Sequence, residues 1–229
     1  MPIDRLAILA STRMHNGICI AGVDANRRWV RPVTPPDLNF SKDALSEHGQ
    51  VVVEPYNEID FRIRGRLSSP PHSEDHEIDI SREPHLVRTL TDGELTALMS
   101  AIDEHDSVGR QRTRDTFVNW LTNANRSLVL TRIDRVDSAY RGSGDYGRRP
   151  RRLSFRVGST NFDMPCTDLR WRFITRGDRD VEALSNLSSA PNLYFALGLT
   201  RQYRGSYWPM VVGVHPIPRL AGTVDYDRL

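Results

Sequence analysis

The chain has 229 residues, 38% of them hydrophobic, and its 31 basic and 29 acidic side chains leave a net charge of +2. That is enough to bury a core, either in one large β domain or in two of roughly 100 residues each, and the near balance of charge excludes a bulk polycation, leaving any nucleic-acid affinity to local patches. Lys42 is the only lysine. An arginine bias suits phosphate and base recognition, and the codon preference of a GC-rich genome explains it equally well. Cys19 and Cys166 lie too far apart in sequence to form a zinc site of their own and would make a weak disulfide framework, so reduced thiols are expected. The opening MPIDRLAILAS is too short and too charged for a signal peptide, and no apolar run reaches membrane-spanning length. The expectation is a soluble, cytoplasmic chain with no membrane contact, metal or cofactor.

Residues 6–12 read as a first strand, and the stretch 17–33, GICIAGVDANRRWVRPV, reads as a β-hairpin turning at Ala25-Asn26-Arg27. Trp29 and Arg31 fall on one face of its second strand. There they form either a stacking platform beside a phosphate-binding cation or a tryptophan covering the sheet edge with Arg31 reaching past it to water. Residues 41–48 suggest a helical turn. Residues 50–53 and 58–64 read as strands, the latter with Ile59, Phe61 and Ile63 inward. The segment 68–82, with Pro70-Pro71, His72, Glu74, Asp75, His76, Glu77 and Asp79, reads as a solvated acidic loop before a short strand carrying Ile78 and Ile80. His72 and His76 are spaced like metal ligands, yet the prolines disfavour a helix there and no third ligand is placed.

Thr91-Asp92-Gly93-Glu94 has the form of a helix start, and Leu95, Leu98, Met99 and Ile102 follow at helical spacing to about residue 104. A second helix is expected over 112–123. Strands are then expected over 127–136, 153–157 and 161–164, a helix over 181–187, and closing strands over 192–200 and 207–214. Leu9-Ala10-Ser11-Thr12-Arg13 leading to Gly22-Val23 echoes Leu197-Gly198-Leu199-Thr200-Arg201 leading to Gly213-Val214, which suggests two related β units. The fold class expected is mostly β: two OB-like five-stranded barrels, residues 1–90 and 125–229, with a helical connector over 91–124.

The hairpin GICIAGVD…RWVRPV, the CTDLRWRF stretch and the closing YWPMVVGVHPIPR together resemble the bacterial dual OB-containing domain family over nearly the whole chain. The resemblance implies a tandem OB fold and nucleic-acid binding. The densest basic and aromatic interleave follows the same direction: Tyr140 and Arg141, then Tyr146, Arg148 and Arg149, then Arg151 and Arg152, in a glycine-containing loop between the first two strands of the second barrel. Arg170, Trp171 and Arg172 form a second candidate surface. In an extended chain the arginines share one face, and Asp168 is placed to pair with Arg170.

Two other functional classes stand beside DNA or RNA binding. Tyr203, Tyr207, Trp208 and Pro209 suit a small ligand or a protein partner, or simply seal a barrel end. Cys166, Asp168 and His215 supply a thiol and a base for a cysteine-dependent enzyme if the fold joins them, but no catalytic motif fixes that spacing.

Overall fold

The computed structural model describes residues 3–14, 17–35, 39–67, 69–142, 150–175, 180–220, 224 and 226. The first half opens with an antiparallel meander of β1 (Ile3–Met14), β2 (Gly17–Val23) and β3 (Trp29–Val33). The β2–β3 turn is local chemistry. The Asp24 carboxylate accepts the N–H groups of Asn26 and Arg28, each at 2.9 Å, and Arg27 takes the left-handed conformation at φ 62°. After a 3₁₀ turn at Asp43–Leu45 come the short β4 (Ser46–Glu47) and β5 (Gln50–Val51), then β6 (Asn57–Arg66), β7 (Asp75–Ile78) and β8 (His85–Thr89). In β6 the alternation works as expected: Ile59, Phe61 and Ile63 are buried, while Asp60 faces out and binds Arg5. β8 has no counterpart in the sequence reading. Its side chains are exposed or half-buried, so the burial alternation that marks a strand is weak there.

The pairings of this half return to their start. β1 pairs with β2, β2 with β3, β3 runs parallel to β7, β7 pairs with β6, and β6 pairs back with β1. The second half repeats that order. Its first strand is broken in two, β9 (Leu128–Arg132) and β10 (Arg135–Arg141), followed by β11 (Arg151–Val157) and β12 (Thr160–Pro165), then β13 (Asn192–Leu199) and β14 (Pro209–Ile217). The break divides what reads as one strand over 127–136. Ile133 N–H donates to Leu193 at 2.8 Å and Asp134 N–H to Arg156 at 3.0 Å, which passes the chain from β13 to β11. β12 then meets β14 through a parallel bridge at Cys166 and Val211. Thus the echo between 9–23 and 197–214 links the first two strands of one half to the last two of the other. It reflects shared strand-turn-strand composition, not equivalent places in the topology.

The helices do not form a separate connector layer. α1 (Asp92–Ile102) starts with the Thr91/Glu94 capping box and buries Leu95 and Met99; α2 (His105–Gly109) and α3 (Arg114–Asn123) follow, with Phe117 and Leu121 buried. α2 and α3 pack into the second half's core, around Phe155, Phe162 and Phe195. α1 packs into a third apolar cluster that lies between the halves, where Leu9, Ala10 and Ala21 meet Leu130, Ala196 and Ile217. This shared cluster makes the two halves one packed body. Two further helices, α4 (Leu169–Ile174) and α5 (Asp180–Ser189), lie between β12 and β13.

Candidate nucleic-acid interface

Asp75, the first residue of β7, is buried beneath Arg31 of β3, with Arg31 Nε 2.6 Å from its Oδ1. Arg201, from the opposite half, binds the other carboxylate oxygen. Arg31 is therefore a buried ion-pair partner whose guanidinium does not face solvent beside Trp29. The acidic segment around it is likewise not a solvated loop: His72, Glu74 and Asp75 are all buried. The second half covers them. Ser127 Oγ donates to Glu74 and lies within hydrogen-bond distance, 2.8 Å, of His72 Nδ1. The His72 ring also meets Tyr207 edge-on, with centroids 6.1 Å apart. Burial, with Arg31 and Arg201 nearby, pushes the His72 pKa down to about 3 and keeps the ring neutral. Histidine and glutamate both bind the serine and neither binds the other. This is a buried seam between the halves and not a nucleophile-base-acid relay.

The CTDLRWRF stretch turns helical at Leu169, where an extended chain was expected. Asp168 caps α4, accepting Trp171 N–H at 2.5 Å on one oxygen and Val214 N–H at 3.1 Å on the other. The carboxylate is thereby used by backbone groups, and the expected side-chain pair with Arg170 does not set the geometry. Trp171 is buried in the second core. Arg170 donates to the Leu220 carbonyl and lies 5.1 Å over the Tyr56 ring, and Arg172 is half-buried in the last turn of the helix. The thiol and imidazole are not joined. Burial pushes the Cys166 pKa well up, away from thiolate, and His215 Nδ1 is 3.3 Å from the Tyr56 hydroxyl in a buried pair. Among the described residues no group of three or more His, Cys, Asp or Glu is placed to hold a metal ion.

The exposed chemistry collects at one end of the second half. Arg141 pairs with Arg151, Cys166 N–H donates to the Arg151 carbonyl at 2.7 Å, and Cys166 bridges to Val211. The connection over 142–150 and the one over 200–208 therefore leave the same row of strand ends. Gly142 N–H closes the first on Pro150 O at 2.9 Å; Tyr146, Arg148 and Arg149 lie outside the described residues.

Beside these loops stand three of the four exposed large apolar side chains among the described residues: Tyr140 at 39%, Tyr203 at 58% and Trp208 at 43%. Each has an arginine at hand. Tyr140 donates to the Asp163 carboxylate, which Arg152 also binds from 2.8 Å; Arg204 lies 5.3 Å over the Tyr203 ring and Arg114 lies 3.9 Å over Trp208. Arg141 is exposed and Arg151 half-buried. Sequence reasoning noted Tyr203 and Trp208 only as a partner surface and passed over Arg204 and Arg114. The signal that joins them is the strand count, because 200–208 links the fourth and fifth strands, and in OB-type barrels the loops after strands 1 and 4 border the ligand face.

Trp29 is on neither of these loops. It is half-buried at the start of β3, against the shared cluster between the halves. The model of the dual OB-containing domain family matches residues 4–214. No curated protein matches the chain.

Proposed function

We propose that this chain, which belongs to the dual OB-containing domain family, binds single-stranded nucleic acid at the open end of its second half. The observation that carries this reading is that Tyr140, Tyr203 and Trp208, on the strands and loop that meet at this end, are exposed and each has an arginine close by, Arg152, Arg204 and Arg114. Base-aromatic stacking contributes about 1–3 kcal/mol per base and demands bases that are not already stacked in a duplex, which favours single strands. Guanidinium groups then hold the phosphates between stacked bases. Arg141 and, in the 142–150 connection, Tyr146, Arg148 and Arg149 extend the same surface by their place in the sequence. Arg31 and Trp171 are left out of this surface because both are buried.

Fluorescence anisotropy with labelled single-stranded and duplex DNA and RNA, at low and moderate salt, tests the proposal. The expected result is single-strand binding that falls steeply with salt and is lost when Arg148, Arg149, Arg151 and Arg152 are all changed to Ala. Absence of binding to all four nucleic acids at low salt overturns it. Binding that persists as salt rises points instead to an apolar partner surface.

A further inference from the structure

A groove of about 630 Å³ separates the start of β3 from the α1–α2 joint, on a different part of the molecule from the loops just described. Its volume lies within the range of small-molecule sites. Trp29, Val30, Ile102 and Leu128 supply apolar wall, and five acidic side chains and four arginines stand around it.

What the groove can bind depends on which of these charges are already engaged. Asp24 accepts two backbone N–H groups and the Arg28 guanidinium. Asp103 accepts the N–H groups of His105 at 3.0 Å and Arg132 at 2.8 Å. Glu104 holds Arg126 through both oxygens, and Glu74 accepts from Ser127. Asp24, Glu74, Glu104 and two of the arginines are thereby engaged, whereas both bonds to Asp103 fall on Oδ1 and leave its Oδ2. Arg66 uses only Nε, on the Ser73 carbonyl at 2.7 Å, so its terminal nitrogens remain. Arg27 sits exposed on the β2–β3 turn, with no side-chain partner among the described residues. The fifth acid, Asp4, sits within electrostatic reach of Arg28 and has lone pairs to accept from a ligand.

Unused capacity in the groove is therefore two guanidinium groups, the Asp4 carboxylate, the second oxygen of Asp103, the Nε2 side of His76, whose Nδ1 lies 2.8 Å from the Glu74 carbonyl, and an indole over an apolar wall. An anion carried on a flat ring with N–H groups matches this set: the guanidinium groups take the anion, the carboxylate oxygens and the imidazole face the N–H groups, and the indole takes the ring. We propose that the groove is a second binding site, for a nucleoside 5′-phosphate, either free or at the end of a strand. The phosphate takes Arg27 and Arg66 and the base lies against Trp29. This site is independent of the strand surface on the second half, and each can fail without the other.

Isothermal titration with AMP, GMP, CMP and UMP, with inorganic phosphate and adenosine as controls, tests it on the intact chain. A Tyr203→Ala/Trp208→Ala background removes the strand surface, so that a 5′-phosphorylated trinucleotide compared with the free nucleotides distinguishes the two sources. The expected result is nucleotide binding that weakens by about tenfold or more in the Arg27→Gln/Arg66→Gln variant. The single Arg27→Gln change, on an exposed turn, gives a smaller loss with an unchanged thermal midpoint. Failure of every nucleotide to bind at about 1 mM, unchanged binding in the double variant, or inorganic phosphate binding as tightly as the nucleotides overturns the proposal.

Discussion

Asp75 holds two arginines from opposite halves of the chain, Arg31 on β3 and Arg201 just beyond β13. Its side chain and that of Arg31 are 2% and 9% exposed, so the pair is stable only as a pair. Changing Asp75 to Ala strands a buried guanidinium and is expected to cost about 3–5 kcal/mol in urea unfolding. Changing Asp75 and Arg31 together to apolar residues of similar volume is expected to recover much of that loss. Equal costs for the single and double variants would show that the cation is not the source of the penalty.

The seam between the halves also predicts a pH response. Burial lowers the His72 and His215 pKa values to about 3 each, against about 6.5 in an unfolded chain. Below the unfolded value the unfolded chain binds protons that the folded chain refuses, so each histidine removes stability as pH falls from about 6.5 toward 3. Asp168 works in the opposite sense. Burial raises its pKa to about 6, and the folded chain holds a proton between there and the unfolded value near 3.9, so its contribution grows on acidification. In urea titrations at pH 7 and pH 5, His72→Asn is expected to lose about 1–2 kcal/mol less between the two than the parent chain, and Asp168→Asn to lose more. Identical differences for all three proteins would refute the assignment.

Asp168→Asn has a second consequence at neutral pH. One carboxylate oxygen accepts Trp171 N–H and the other Val214 N–H, and an amide offers only one oxygen. A buried N–H loses its acceptor, at an expected cost of about 1–3 kcal/mol.

Gly213 of β14 packs against β1 of the other half. A Cβ there would stand 2.5 Å from the Leu9 carbonyl oxygen and 2.5 Å from His215 Nε2. The carbonyl belongs to the interior strand β1 and has little room to retreat. Gly213→Ala is expected to destabilise by about 1–3 kcal/mol in thermal or urea melts, whereas Gly65→Ala, whose Cβ would meet nothing within 4 Å, should be close to neutral in the same measurement.

Trp208 separates binding from stability. It is 43% exposed under Arg114, so Trp208→Ala should leave the unfolding midpoint nearly unchanged. The same variant is expected to weaken single-strand binding by about 1–3 kcal/mol. Arg114→Ala should lose less affinity and should also flatten the salt dependence.

Local rules in the sequence were sufficient for what depends on near neighbours. The alternation of Ile59, Phe61 and Ile63, the Thr91/Glu94 cap and the turn chemistry of Asp24 act over a few residues, and each appears where the sequence places it. Partner choice acts over the whole chain and could not be read this way. Arg31 looks like a surface cation until Asp75, 44 positions away, is found beneath it. His72 and Glu74 look like a solvated loop until Ser127 covers them. Trp171 looks like part of a binding surface on an extended chain until the Asp168 cap starts a helix there. An arginine or tryptophan has the same sequence signature whether it is buried or exposed. Only the tertiary fold, by deciding which carboxylate or core cluster meets it, determined that Arg31 and Trp171 hold the protein together while Tyr203, Trp208 and Arg204 face outward.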